Sequence, residues 1–286
     1  MSTTADTYVL SVAPDTSVEL SNMKVQGTKR GIMLGSDGDE SQNVSLKLNN
    51  VEVEATDRGI ATMSEKTDGI TVELVNSTVS HGGYTDYTSE YDSRDTRGIA
   101  MFNTTNSTVT VENSTVQGYA YPLNVGGTDG TGLVFNVKDS AISGRCAVNS
   151  WGSGITYNLD GCELRSINNQ GGSTEGFAAI VINNTANDNT VNVSDCSIIG
   201  SFNGPGVDNP NATAFLTSVR STGDKVTITG NTTYSCLPDK GGLDTLMLTN
   251  APEFKIDQSV YDNMFAEWIN GKFNAELGSD GMYTLS

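Results

Sequence analysis

At 286 residues the chain is long enough for one large or two ordinary domains with a substantial core, so it does not depend on disulfides for stability. With 31 Gly, 6 Pro, only 17% charged residues and abundant Ser, Thr and Asn, its composition excludes a helical bundle or coiled coil and points to an all-β chain rich in turns. Sixteen basic against 34 acidic residues give a net charge of −18, a surface that repels phosphate backbones and anionic lipid, so nucleic acid is not expected as a partner.

Residues 1–16 precede the repeated part of the chain and are expected to cover its first open edge as an N-terminal cap. From residue 17 onward a pattern recurs in segments 18–25, 46–53, 72–79, 109–116, 135–142, 157–164, 191–198 and, one residue longer, 226–234. Its mark is Asn22, Asn50, Asn76, Asn113, Asp139, Gly161, Asp195 and Asn231, with spacings of 28, 26, 37, 26, 22, 34 and 36. The residues four and two before each mark are apolar with a polar one between them, the alternation of a strand with one face buried. Farther along each unit comes a small residue followed by a larger apolar one, as in Gly31-Ile32, Gly59-Ile60, Gly98-Ile99, Pro122-Leu123, Ala147-Val148, Ala179-Ile180, Ala214-Phe215 and Thr245-Leu246. Each unit therefore carries about three short strands, and units of this size bury their apolar faces by stacking.

The expected fold is thus a single-stranded parallel β-helix, or solenoid, of about eight coils over residues 17–250, right-handed by the crossover preference. Strands about 4.8 Å apart make this a rod of roughly 38 Å. Two columns test the register. Three places before the mark stand Glu19, Lys47 and Glu73, then Thr110, Asn136, Asn158 and Asn192, so opposite charges and then polar groups stack. One place after it stand Cys162 and Cys196, expected as two stacked buried thiols, with a disulfide as the alternative. The four cysteines form no CxxC motif and His81 is the one histidine, which argues against a zinc site and against Ser-His-Asp or Cys-His catalysis. The longest apolar run, 177–182, is far short of the roughly eighteen residues that cross a bilayer, so membrane insertion is not expected.

Length variation falls in one place. From the inward residue after the mark to the next small-apolar pair the distance is 6 or 7 residues in coils one, two, four and five, but 20, 16, 17 and 12 in coils three, six, seven and eight. The long loops should leave at one corner and line one edge, where binding sites concentrate. The longest, 81–95, carries Tyr84, Tyr87 and Tyr91 with Asp86, Glu90, Asp92 and Asp95, a set suited to sugar rings, or else a loop whose tyrosines pack back on the rod. Arg30, Arg58 and Arg97 precede Gly-Ile in the first three coils and should stack as a column, either to bind an acidic sugar or supply a catalytic base, or else bridged to acids such as Asp57 or to loop carboxylates. Asp37-Gly-Asp39-Glu40 and the loop carboxylates are candidate calcium ligands without the full spacing of a calcium loop; no other cofactor is expected. Over 259–269 the apolar residues fall on one helical face, with Ser259 and Asp262 in capping-box spacing and Gly271 as the stop, so residues 251–286 are read as a C-terminal cap with an amphipathic helix.

The repeat resembles the right-handed parallel β-helices grouped around pectate lyases, whose stacked corner asparagines are similar to the column Asn22, Asn50, Asn76 and Asn113. Such lyases need clustered calcium-binding aspartates and a proton-abstracting arginine, and related polygalacturonases carry Asn-Thr-Asp and Gly-His-Gly motifs; neither motif occurs here, no repeated strand carries clustered aspartates, and the arginine column is the best catalytic candidate. The tail, Phe254-Lys-Ile-Asp-Gln-Ser-Val-Tyr261 with Gly278-Ser-Asp-Gly-Met-Tyr-Thr-Leu285, resembles the closing segment of repetitive bacterial surface proteins with adhesin-like β-helical modules. That resemblance implies a monomeric extracellular module cut from a longer secreted protein. On this reading the chain is non-catalytic and binds polysaccharide or a glycoprotein glycan, the alternatives being a β-helical polysaccharide lyase or glycoside hydrolase and a purely structural stalk.

Overall fold

The computed structural model describes residues 1–3, 7–36, 40–63, 66–83, 96–168, 178–183, 186–202, 214–217, 222–237, 246–247, 253–265 and 274–286. In the segment Val-Thr-Val of residues 109–111, both valines are fully buried while Thr110 is not, as a strand with one wet face requires. Nine such strands pair side by side in parallel to form a first row, from residues 17–21 through Thr71–Val75, Thr108–Glu112 and Val134–Lys138 to Glu253–Ile256. A second row follows the marked corner, and a third runs from Tyr8–Val12 through Arg30–Leu34, Arg58–Thr62 and Arg97–Phe102 to Leu246–Met247. Each pass of the chain thus gives one strand to each row, and the chain is all-β with large parallel sheets and very little helix.

Register turns the sequence pattern into columns. Leu46, Val72, Val109, Phe135, Tyr157, Val191, Val226 and Phe254 stack along the inside of the first row, all of them buried. Phe135 and Tyr157 lie face to face, with ring centres 5.1 Å apart and planes 15° apart. On the outside, Glu19, Lys47, Glu73, Thr110, Asn136, Asn158 and Asn192 align as expected. Lys47 Nζ lies 3.5 Å from Glu73 Oε1, and the amides of Asn158 and Asn192 each donate to the preceding asparagine at 2.9 Å.

The corner between the first and second rows needs a left-handed backbone. Asn22, Asn50, Asn76, Asn113, Asp139 and Asp195 have φ between 47° and 54°, and Gly161 has 62°. The eighth corner is Gly230, with φ 70°, not Asn231; the extra residue of that segment shifts the corner back by one. A matching slip affects the third row, where Leu216, and not Phe215, pairs with Ile180 and Leu246.

Just past the corner runs a buried ladder that the sequence reading met only at its cysteines. The hydroxyls of Ser77, Ser114 and Ser140 accept the N–H of Val51, Ser77 and Ser114 respectively at 3.0–3.1 Å, and each donates to the carbonyl two residues back. Cys162 and Cys196 continue it as free thiols: Cys162 N–H donates to Cys196 Sγ at 3.3 Å, and Cys196 N–H to Thr232 Oγ1 at 3.2 Å. Hydroxyl and thiol play one role here, satisfying a buried amide that the bent chain removes from the sheet ladder.

A second left-handed column precedes the first row at Asp15, Asn43, Gly69, Asn106, Gly132, Gly154, Asp188 and Gly223. Asn43, Asn106 and Asp188 in this column lean over Gly69, Gly132 and Gly223 of the next pass, and a Cβ on Gly223 would clash with Asp188 Oδ1.

At the C-terminal end Asp257 caps the short helix Gln258–Val260, accepting Val260 N–H at 2.9 Å on Oδ1 and Gly230 N–H at 2.8 Å on Oδ2. The cap is therefore Asp257 and not Ser259: Asp257 is extended, with φ −84°, and its carboxylate reaches both the helix amide and the amide of Gly230, the corner of the preceding pass. The helix continues as Tyr261–Phe265 in π-helical form; residues 266–273, including the expected stop, lie outside the described residues.

Candidate functional site

The long connections emerge where the second row hands over to the third. Residues 82–96 join Thr78–His81 to Arg97–Phe102, 169–177 join Glu163–Asn168 to Ala178–Ile182, 203–213 join Ser197–Phe202 to Ala214–Thr217, and 238–245 join Thr233–Leu237 to Leu246–Met247. In the other passes the same connection is very short, residues 28–29 in one and 56–57 in the next. All four insertions therefore leave and rejoin the rows at one edge. Tyr84, Asp86, Tyr87, Glu90, Tyr91, Asp92 and Asp95 lie outside the described residues.

His81 stands at the root of the longest insertion, its ring edge-on to the buried Tyr119 with centres 5.7 Å apart. Burial holds its pKa below the ordinary value. Above pH about 6.5 the imidazole is neutral in both folded and unfolded chains and pH has no effect through it. As pH falls below that value the unfolded chain takes up a proton that the folded one refuses, so stability declines. The thermal midpoint is accordingly expected to fall less between pH 7 and pH 5 in His81→Gln than in the parent chain, as followed by circular dichroism.

Beside this edge the three arginines form the expected column: Arg30 pairs with Arg58 and Arg58 with Arg97. Tyr8 precedes Arg30 in the column and Tyr121 follows Arg97. The guanidinium carbon of Arg30 lies 5.5 Å from the Tyr8 ring centre, those of Arg58 and Arg97 lie 4.9 Å and 5.1 Å from that of Phe102, and Arg97 is also 5.9 Å from that of Tyr121. Each such contact is worth about 0.5–1 kcal/mol in a half-exposed setting. Arg30 Nε lies 3.3 Å from Asp57 Oδ2 and Arg58 Nε 3.9 Å from the same oxygen. Arg97 Nε donates to Asn124 Oδ1 at 3.1 Å, and Asn124 Nδ2 donates to Asn149 Oδ1 at 3.0 Å.

Asn124 sits between the inward Leu123 and Val125, so Arg97 runs across the outward face of the third row. Ala61 and Ala100, on the same outward face, are fully buried. Farther along, Cys146 and Val181 form a small second cluster under Tyr121, and burial pushes the Cys146 thiol up to about 12. The third row thus carries an outer layer in which guanidinium groups lie over rings, and those of Arg30 and Arg97 also bond an acid and an amide. The aromatic partners were readable in principle, since Tyr8-Val-Leu and Tyr121-Pro-Leu occupy the place of Arg-Gly-Ile in neighbouring passes.

On the other edge of the third row lies a polar groove of about 750 Å³, lined by Asp15, Glu40, Gln42, Lys66, Asp68 and Thr105 among others. Its floor is the short sheet of Ser41–Gln42, Thr67–Asp68 and Thr104–Thr105. Hydrogen bonds from Thr105 and Asn106 hold the Asp68 carboxyl below the usual carboxylate range. Of the candidate calcium ligands in 37–40, Glu40 lines this groove, whereas 37–39 lie outside the described residues. Among the described residues no three His, Cys, Asp or Glu side chains converge in a way that would hold a metal ion. No family model, curated protein or solved structure gives a significant match to this chain.

Proposed function

We propose that the three rows form a right-handed parallel β-helix of the pectate lyase-like architecture, serving as a non-catalytic, extracellular module of a bacterial surface protein that binds glycan along the edge of the long connections. The observation that carries this reading is that all four long connections leave and rejoin an otherwise regular scaffold at one edge. The tyrosines and carboxylates of 84–95 belong to the longest of them, and rings beside acids suit a sugar's apolar face and hydroxyls.

Two further observations support the non-catalytic and surface-module parts. Arg30, Arg58 and Arg97 lie over aromatic rings, and Arg30 Nε and Arg97 Nε are bonded to Asp57 and Asn124, an arrangement that suits a structural layer better than a proton-abstracting base. The two segments of the tail that resemble bacterial surface proteins act as one unit: Glu253–Ile256 pairs with Tyr283–Leu285, and Tyr261 stacks on Tyr283.

The triple variant Tyr84→Ala, Tyr87→Ala, Tyr91→Ala is expected to lose binding to whichever of an acidic polysaccharide, a neutral polysaccharide or a sialylated glycoprotein the parent binds, with its thermal midpoint nearly unchanged. Unchanged binding would remove this edge as the site. A large loss of stability would show that the tyrosines are packed on the rod.

A further inference from the structure

The two ends of the stack are finished differently. At the C-terminal end Tyr283–Leu285 lies antiparallel on Glu253–Ile256, Ala275–Leu277 pairs with it in turn, and Val260 of the short helix is fully buried. At the N-terminal end, among the described residues, Tyr8–Val12 pairs only with Arg30–Leu34, and residues 17–21 pair only with the following pass. Ser2–Thr3 covers just Gln26 and Gly27. Ser45 N–H donates to Thr16 O, so strand alternation turns the amides and carbonyls of Ser17, Glu19 and Ser21 to the unpaired side. Gly35 N–H donates to Val12 O, which in the same way leaves those of Val9 and Ser11 facing outward.

The same end leaves Leu10, Val18, Leu20 and Met23 half-buried, although their counterparts one pass inward, Ile32, Leu46, Leu48 and Val51, are buried, and Val9 is half-buried beside them. Charge sets this end apart as well. Residues 1–30 hold three acidic residues (Asp6, Asp15, Glu19) and three basic ones (Lys24, Lys29, Arg30), a net of zero, so residues 31–286 carry the whole −18. At the opposite end, residues 251–286 hold six acidic and two basic residues, a net of −4. Two copies of so acidic a chain repel each other, and of the two ends of the stack the N-terminal one is where that repulsion is weaker.

We infer that the N-terminal end is a self-association face, through which a second copy of this chain docks end to end about a two-fold axis. The axis reverses strand direction, so each copy's edges at Tyr8–Val12 and 17–21 receive antiparallel strands from the other, and the five aliphatic residues are buried between them. A head-to-tail contact would instead set this face against the covered, anionic C-terminal end, and repetition would build an open filament. The two-fold arrangement closes at two copies.

Sedimentation velocity of the full chain over a concentration series tests this. The parent is expected to pass from monomer to dimer and no further. Ser11→Pro with Glu19→Pro removes two outward amides and is expected to weaken the dimer at least about tenfold, since the unpaired edge of a sheet is where proline is tolerated. Ser17→Glu with Ser21→Glu changes two exposed side chains and leaves the core intact; it is expected to weaken the dimer in low salt and to regain it in high salt. A monomer at every concentration, a dimer that neither double variant weakens, or growth beyond two copies would each overturn the proposal.

Discussion

Phe135→Ala is expected to destabilise the chain by about 3–5 kcal/mol, the usual range for deleting a fully buried aromatic ring from a core that cannot collapse around the gap. Collapse is resisted here because Phe135 sits mid-column, between Val109 of one pass and Tyr157 of the next, and the strand spacing is set by backbone hydrogen bonds. The ring also loses its stacking on Tyr157. Chemical denaturation read by tryptophan fluorescence and by circular dichroism checks this. A loss under about 1 kcal/mol would mean that the column is not packed as described.

The second large effect concerns backbone. Asn113 holds φ at 47°, and its N–H donates to Lys138 O of the next pass. Asn113→Val places a β-branched residue in the left-handed region and is expected to cost about 1–3 kcal/mol. Asn113→Gly, which reaches the same angles without strain, is expected to stay close to the parent. The contrast between the two variants isolates conformation from side-chain contacts. Equal destabilisation of both would assign the role of Asn113 to its amide group instead.

These two sites show what kinds of feature are legible in such a chain. The strand alternation, the outward column from Glu19 to Asn192 and the alignment of Arg30 with Arg58 and Arg97 could be read directly, because a parallel stack repeats its environment pass after pass. The shared edge of the long connections followed from the same periodicity. What escaped was whatever broke the period or combined two columns. Gly230 replaced Asn231 as the corner, and Leu216 replaced Phe215, each by a one-residue slip that alternation over five residues resolves poorly. The column of Asp15, Asn43, Gly69 and Asn106 mixes acid, amide and glycine, so it shares a backbone angle and not a residue type.

The serine, cysteine and threonine ladder escaped for a related reason. Ser77, Ser114, Ser140, Cys162, Cys196 and Thr232 look unalike as letters, yet each offers one acceptor to a buried amide and one donor to a carbonyl. At the arginine column the positions and the flanking Tyr8 and Tyr121 were legible, and Phe102 was not. Phe102 lies five residues past Arg97 and reaches both Arg58 and Arg97 only because the side chains run along the outward face. The Asp257 carboxylate serves both the helix start and the amide of the Gly230 corner, a cap that a search for helix signals alone would assign to Ser259.

The proposed glycan-binding role is tested most directly by native electrophoresis of the parent chain through gels loaded singly with acidic or neutral polysaccharide, with calcium or with chelator, each gel stained afterwards for residual polymer. The account predicts retardation in at least one gel, with the polymer around the band intact. Cleared zones would contradict it in favour of a lyase or hydrolase, and free migration through every gel would contradict the glycan-binding role itself.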